Sequence, residues 1–153
     1  MTSRSVSITG ATGFVGWHAV EAFVAAGYDV RAIVRRGNRK PVPAGAVVVE
    51  TDLTGEGLAR AVHGSQVLVH SAALIRAKNE AAFNAVNVEG TRASAQAAAA
   101  TGARLVLISS QAAGGEGTPD APRGEDDAPA PVNAYGRSKL ASEAVLRAVP
   151  GLD

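Results

Sequence analysis

Apolar residues run along this chain in two alternating rhythms. Short unbroken runs, such as Val67-Leu68-Val69 and Leu105-Val106-Leu107-Ile108, end in polar residues or loops. Between them lie longer stretches in which apolar positions recur every three or four residues. Unbroken runs suit strands buried on both faces, and the longer period suits the helices that cover those faces. The pattern predicts strands near 4–9, 29–34, 46–50, 66–71 and 104–109, and helices near 14–26, 55–63, 80–101 and 134–149. Ala95 to Ala100 reads as a stretch of close helix packing. Val149-Pro150-Gly151 is an ordinary helix stop. Strand and helix alternate throughout, so right-handed crossovers give an α/β, doubly wound parallel sheet ordered 3-2-1-4-5. A ligand belongs beyond the carboxyl ends of strands 1 and 4.

Glycines stand at the first of those ends. Ser5 to Ile8 is β-prone, Thr9-Gly10-Ala11-Thr12-Gly13-Phe14-Val15-Gly16 follows, and a helical pattern leaves it. Strand, glycine turn and helix are the context a dinucleotide fingerprint needs. Gly10 is expected to make the tight turn, Gly13 to let backbone approach a pyrophosphate, and Gly16 to seat the helix on the strand. The helix N-terminus offers free N–H groups and a favourable dipole to phosphates. The spacing is G-x-x-G-x-x-G, and three plain turn glycines are the bland alternative.

At the second strand's end an NAD site usually carries an acid for the ribose 2′-hydroxyl. Here Asp29 comes too early, and the run is Arg31-Ala32-Ile33-Val34-Arg35-Arg36, then Asn38, Arg39 and Lys40. A cationic fork suits the 2′-phosphate of NADP, with Arg35 the leading contact and Arg36 second. NAD remains the alternative, and a solvated basic loop the bland reading.

Tyr135-Gly136-Arg137-Ser138-Lys139 sets a phenol and an ammonium one helical turn apart. Residues four apart share a helix face, so the ammonium favours the phenolate. Such a pair serves proton exchange with a hydroxyl or carbonyl. The spacing alone also arises by chance on surface helices.

The glycine turn and the Tyr-x-x-x-Lys pair together resemble the extended short-chain dehydrogenase/reductase superfamily. That branch includes NAD-dependent epimerase/dehydratases and dihydroflavonol-reductase-like and 3β-hydroxysteroid-dehydrogenase-like enzymes. Further signatures follow in order: Asp52-Leu53, His70-Ser71-Ala72-Ala73, Asn87-Val88-Glu89-Gly90-Thr91 and Ile108-Ser109-Ser110. The resemblance implies that Tyr135 is the general acid or base. It implies that Lys139 supports Tyr135 and bonds the nicotinamide ribose, and that Ser110 donates to the substrate oxygen. Ser110 is chosen over Ser109, which would only cap the strand. Asn87 would organise a proton relay or, equally, bond backbone as an ordinary helix residue. The cofactor would be held by Gly10, Thr12, Gly13, Phe14, Val15, Gly16, Arg35, Arg36, Asp52, Leu53, Ser71, Ala72, Ala73, Asn87, Tyr135 and Lys139. His70 is expected among the residues lining the cofactor.

Composition narrows the remainder. The 153 residues suffice for one core, 46% are hydrophobic, and net charge is +1. That balance argues for no nucleic acid or membrane partner. The absence of cysteine removes disulfides and thiolate metal sites and suits a cytoplasmic protein. His18, His63 and His70 lack ligand spacing, so no metal is expected. Asp126 and Asp127 read as solvated charges, in a Pro- and Gly-rich stretch, 114–131, that is either a lid or a surface excursion. Trp17 reads as packing.

Extended family members continue beyond this point, with more strands and a substrate lobe. Residues 1–153 are therefore expected to form a Rossmann-type domain cut before the sixth strand, leaving strand 5 as an edge. The expected partners are a small-molecule substrate and either a second copy or a completing C-terminal half. Two functions stay open: an NADP-dependent oxidoreductase or epimerase acting on a sugar nucleotide or small carbonyl compound, and a noncatalytic dinucleotide-binding or redox-sensing module.

Overall fold

A computed structural model of the chain describes residues 4–152. Five short runs rich in valine, isoleucine and leucine form the strands: β1 (Ser5–Thr9), β2 (Asp29–Val34), β3 (Val47–Glu50), β4 (Val67–His70) and β5 (Arg104–Leu107). All four pairings are parallel, and the order is β3-β2-β1-β4-β5 as expected. The register aligns Thr9 with both Ile33 and His70, and His70 with Leu107. The carboxyl ends of β2, β1, β4 and β5 therefore finish nearly level, which builds one continuous rim.

Alternation along each strand divides the core into two layers. Val6, Ile8, Val30, Ala32 and Val69 pack with Val20 of α1 (Phe14–Ala25). On the other face Ile33 and Leu68 meet Leu58, Ala61 and Val62 of α2 (Gly55–Val62) and Ala97 and Ala98 further along. Those small alanines let helix and sheet approach closely, as the alanine run suggested. Arg31 points to this second face and away from the rim. Its guanidinium donates to the carbonyls of Ala61 and His63, capping the C-terminal end of α2. Arg31 is thus no part of the cationic fork.

The stretch foreseen as one helix over 80–101 is continuous but not uniform. A first turn, α3 (Glu80–Phe83), enters a π-helical segment, Asn84–Val88, before α4 (Glu89–Thr101). Widened turns of this kind often mark functional positions. β5 ends two residues sooner than foreseen, and a short helix, α5 (Gln111–Gly114), follows it. α6 (Ala134–Ala148) begins at Asn133, whose side chain accepts from the Gly136 N–H at 2.8 Å. Residues 115–133 are mostly exposed and carry their own turns, including Asp127 accepting from the Gly124 N–H at 2.8 Å. β5 is an edge of the described sheet, with Val106 41% exposed. Among the described residues, no helix is long and apolar enough to cross a membrane.

Candidate active site

The glycine turn is built by close backbone contact. Gly10 has φ 71°, in the left-handed region, and a side chain there would collide with the Ser71–Ala72 backbone. Gly16 lies over the same turn: a β-carbon on it would stand 2.1 Å from the Gly10 carbonyl oxygen. A β-carbon on Gly13 would meet only that oxygen, at 3.3 Å, so its outer side stays open. Gly13 also precedes α1 without any side-chain cap, leaving the first-turn N–H groups available to an anion.

Above this turn lies a cleft of about 430 Å³. The β1 turn supplies Gly10, Thr12 and Gly13, and the end of β2 supplies Arg35 and Arg36. Leu53, beyond β3, and Ser71, Ala72 and Ala73, beyond β4, also line it. These expected residues therefore converge. Phe14 and Val15 stand at the exposed start of α1, 82% and 49% accessible, and Gly16 is buried beneath the turn. Asp52 is paired with Arg36 at 3.5 Å. Sequence reasoning left out Ile33, Val34, Gly37, Leu74 and Val86, which also line the cleft. Only their adjacency to motif residues could have found them.

None of the proposed chemical residues lines this cleft: Ser110, at the start of α5, lines a separate cavity, Tyr135 and Lys139 lie on α6, and Asn87, in the π segment, reaches the cleft wall through Leu74. Lys139 is buried, and its Nζ donates to the Ile108 carbonyl at 2.7 Å. Burial holds its pKa below the ordinary lysine value, with the Glu143 carboxylate opposing that shift. Tyr135, one turn earlier, packs its ring on Phe83 with centroids 6.1 Å apart. Its hydroxyl has no hydrogen-bond partner among the described residues. Ser110 begins α5, and its Oγ accepts from the Ala112 N–H at 3.2 Å.

Gly136 explains how the two segments come together. A β-carbon there would lie 2.2 Å from the Ala112 carbonyl oxygen, so only glycine lets α6 press against the turn that carries Ser110. Asn87 is buried and fully engaged. Its amide oxygen accepts from the Leu74 N–H at 2.7 Å, and its nitrogen donates to the Leu74 carbonyl and the Ser138 hydroxyl. It ties the loop after β4 to α6, which matches the backbone-bonding alternative for its side chain.

His70 does not line the cleft; that expectation is corrected. Strand alternation turns it under α4, where Nδ1 lies 2.8 Å from the Thr9 hydroxyl and 3.0 Å from that of Ser94. Nε2 is buried without a partner among the described residues. Burial first, and the Lys139 charge second, lower its pKa from 6.5 to about 4. Unfolding lets this imidazole take a proton that the folded state refuses. Stability contributed by the neutral form is therefore complete above pH 6.5 and falls as pH drops toward 4. The loss should be on the order of 3 kcal/mol across that window. Urea midpoints at pH 7 and pH 4.5 should show it, and His70→Asn should flatten the difference. Equal slopes in both chains would contradict the assignment.

A glycine turn at a helix N-terminus, a cleft at the strand ends and a basic second-strand end together define a dinucleotide-binding domain. The family model described as "NAD dependent epimerase/dehydratase family" matches residues 6–150, and the chain belongs to that family. It is similar to a ceramide reductase of Caulobacter vibrioides, 46% identical over 111 residues, covering 71% of this chain and 35% of that protein. A short-chain dehydrogenase/reductase of Agrobacterium tumefaciens, solved with bound NAD, matches with TM-score 0.80 and 33% identity. The match covers 94% of this chain and 44% of that one. WbmG of Bordetella bronchiseptica, solved with NAD and UDP, matches with TM-score 0.77 and 31% identity, over 95% and 49% of the two chains. The chain thus spans about half the length of these relatives, or less. Its fold is the Rossmann-type fold of the extended short-chain dehydrogenases/reductases.

Proposed function

We propose that this chain is the cofactor-binding portion of an NADP-dependent oxidoreductase or epimerase. In this reading it holds the dinucleotide in the 430 Å³ cleft. Tyr135 exchanges the proton at a substrate hydroxyl or carbonyl; a nicotinamide held in the cleft would supply the hydride chemistry at the attached carbon. Lys139 stabilises the phenolate and bonds the nicotinamide ribose, and Ser110 donates to the substrate oxygen. Asn87 serves by holding the loop after β4 against α6. The observation that carries this reading is the buried Lys139 one turn behind a Tyr135 hydroxyl left without a partner among the described residues. A module that only binds a dinucleotide has no use for that arrangement.

NADP is favoured over NAD by the chain's own residues. Arg35 and Arg36 line the cleft at the end of β2, with Asn38 and Lys40 beside them, and among the described residues no carboxylate lines it. Arg36 is engaged with Asp52, which leaves Arg35 as the principal partner for a 2′-phosphate. The substrate is a sugar nucleotide or a small carbonyl compound. Relatives carry names of both kinds, a ceramide reductase and a UDP-glucose 4-epimerase among them. A second copy or a C-terminal half would supply the rest of the pocket, in the cytoplasm.

Titration with NADPH and NADH, followed through Trp17 fluorescence, tests the cofactor assignment. NADPH should bind more tightly, and Arg35→Asp should weaken it by about tenfold or more while sparing NADH. Unchanged NADPH affinity in that variant would remove Arg35 from the site. Saturable binding without turnover on any carbonyl or sugar-nucleotide substrate would favour the noncatalytic, redox-sensing alternative.

A further inference from the structure

Two hydrogen bonds join α6 to consecutive residues just before Ser110. Lys139 Nζ donates to the Ile108 carbonyl at 2.7 Å, and the Ser109 hydroxyl donates to the Glu143 carboxylate. Tyr135, Lys139 and Glu143 follow one another at four-residue intervals, so they share one face of α6. Ser109 is therefore more than a strand cap, and Glu143 belongs to none of the motifs considered above. Resting on the functional reading just given, we infer that Glu143 is a positioning residue of the Tyr135–Lys139–Ser110 site. Its carboxylate is the counter-charge of Lys139, and its bond to Ser109 fixes the segment that carries Ser110.

The surroundings leave few alternatives for that counter-charge. Lys139 is 3% exposed, and a buried ammonium needs an opposite charge. Among the described residues, His70 and Glu143 are the titratable groups whose charge couples to it. From β4 comes His70, held neutral by burial. The π segment offers Asn87, which carries no charge, and α6 itself offers Tyr135 and Glu143. Arg147 is the cation paired with Glu143, at 3.5 Å and 73% exposed, so it draws part of the carboxylate's attraction into solvent. The direction of Glu143's influence on Lys139 agrees: it opposes the effect of burial.

Three variants separate the two duties. Glu143→Gln keeps an acceptor oxygen for Ser109 and removes the charge. Ser109→Ala removes the bond and keeps the charge. Arg147→Ala frees the carboxylate without disturbing any buried group. The readout is the NMR titration of lysine side chains labelled with ¹³C at the ε-carbon. The chain has three lysines, Lys40, Lys78 and Lys139, so Lys139→Arg assigns the signal.

Glu143→Gln should lower the Lys139 titration midpoint. Arg147→Ala should raise it, and Ser109→Ala should leave it in place. An unmoved midpoint in Glu143→Gln overturns the counter-charge. If that variant does not fold, an unmoved midpoint in Arg147→Ala does the same. In turnover assays Ser109→Ala should lower kcat without changing the pH profile, and Glu143→Gln should move the alkaline limb to lower pH. Unaltered kcat in Ser109→Ala overturns the positioning role. The lysine titration requires neither cofactor nor substrate. Failure to bind NADPH would therefore sink the functional reading alone, whereas a missing coupling in a chain that binds NADPH would sink the Glu143 role alone.

Discussion

Gly16→Ala should abolish saturable NADPH binding and lower the melting temperature by roughly 10 °C. The new methyl would lie 2.1 Å from the Gly10 carbonyl oxygen, 2.7 Å from its carbon and 3.1 Å from Ala11 Cα. All three are backbone atoms of a tight turn, so no side chain can swing away. Either α1 lifts from β1 or the turn deforms, and overpacking of that kind costs about 1–3 kcal/mol or more. In an unobstructed helix the same change would stabilise by up to about 1 kcal/mol, because alanine is the better helix former. The sign of the effect therefore reports the clash by itself. The same displacement moves the N–H groups at the start of α1, where a pyrophosphate would be held. A variant that melts at or above the parent temperature and still binds NADPH would show that the turn is not so constrained.

The second large effect falls on chemistry and spares the fold. Tyr135→Phe should reduce turnover of a carbonyl substrate by about 10²- to 10⁴-fold, or roughly 3–5 kcal/mol of barrier. The phenol ring rests on Phe83 and phenylalanine keeps that contact, while the lost hydroxyl has no partner among the described residues. Melting temperature should stay close to the parent value, and NADPH affinity within a few-fold. Loss of activity with intact folding and binding separates a proton-transfer role from a structural one. Retained hydride transfer in Tyr135→Phe would refute the mechanism proposed for the site.

Much of the architecture could be read from the chain because it depends on local pattern. The apolar run Val30 to Val34 needs cover on both faces and has it, with Val30 and Ala32 on one side and Ile33 on the other. The crossovers leave one strand order, and the observed sheet has it. That Gly10, Thr12, Gly13 and Arg35 line one cleft could be foreseen for the same reason. Each sits within a few residues of a strand end, and parallel register brings strand ends to one rim.

Other features depend on which distant residue happens to lie opposite, and no local pattern records that. Periodicity joins 80–101 into one helix but contains nothing that widens the turn at Asn84–Val88, which turns Asn87 inward onto Leu74 and Ser138. His70 sits in a motif that adjoins the cleft, yet the two-residue alternation of β4 points it under α4. Arg31 is one basic residue in a run of three arginines, and only the strand's alternation separates it from the other two.

By itself the sequence determined the strand–helix alternation, the sheet order, the glycine turn and the side chains proposed for acid–base work. Hydrophobic period, glycine placement and four-residue spacing are short-range quantities that one chain carries in plain order. The tertiary structure alone decided what each group touches. It buried Lys139 against the Ile108 carbonyl, pressed Gly136 onto Ala112, joined Ser109 to Glu143 and left His70 Nε2 without a partner among the described residues. Burial and charge set the protonation of such groups, and both come from packing between segments far apart in the chain.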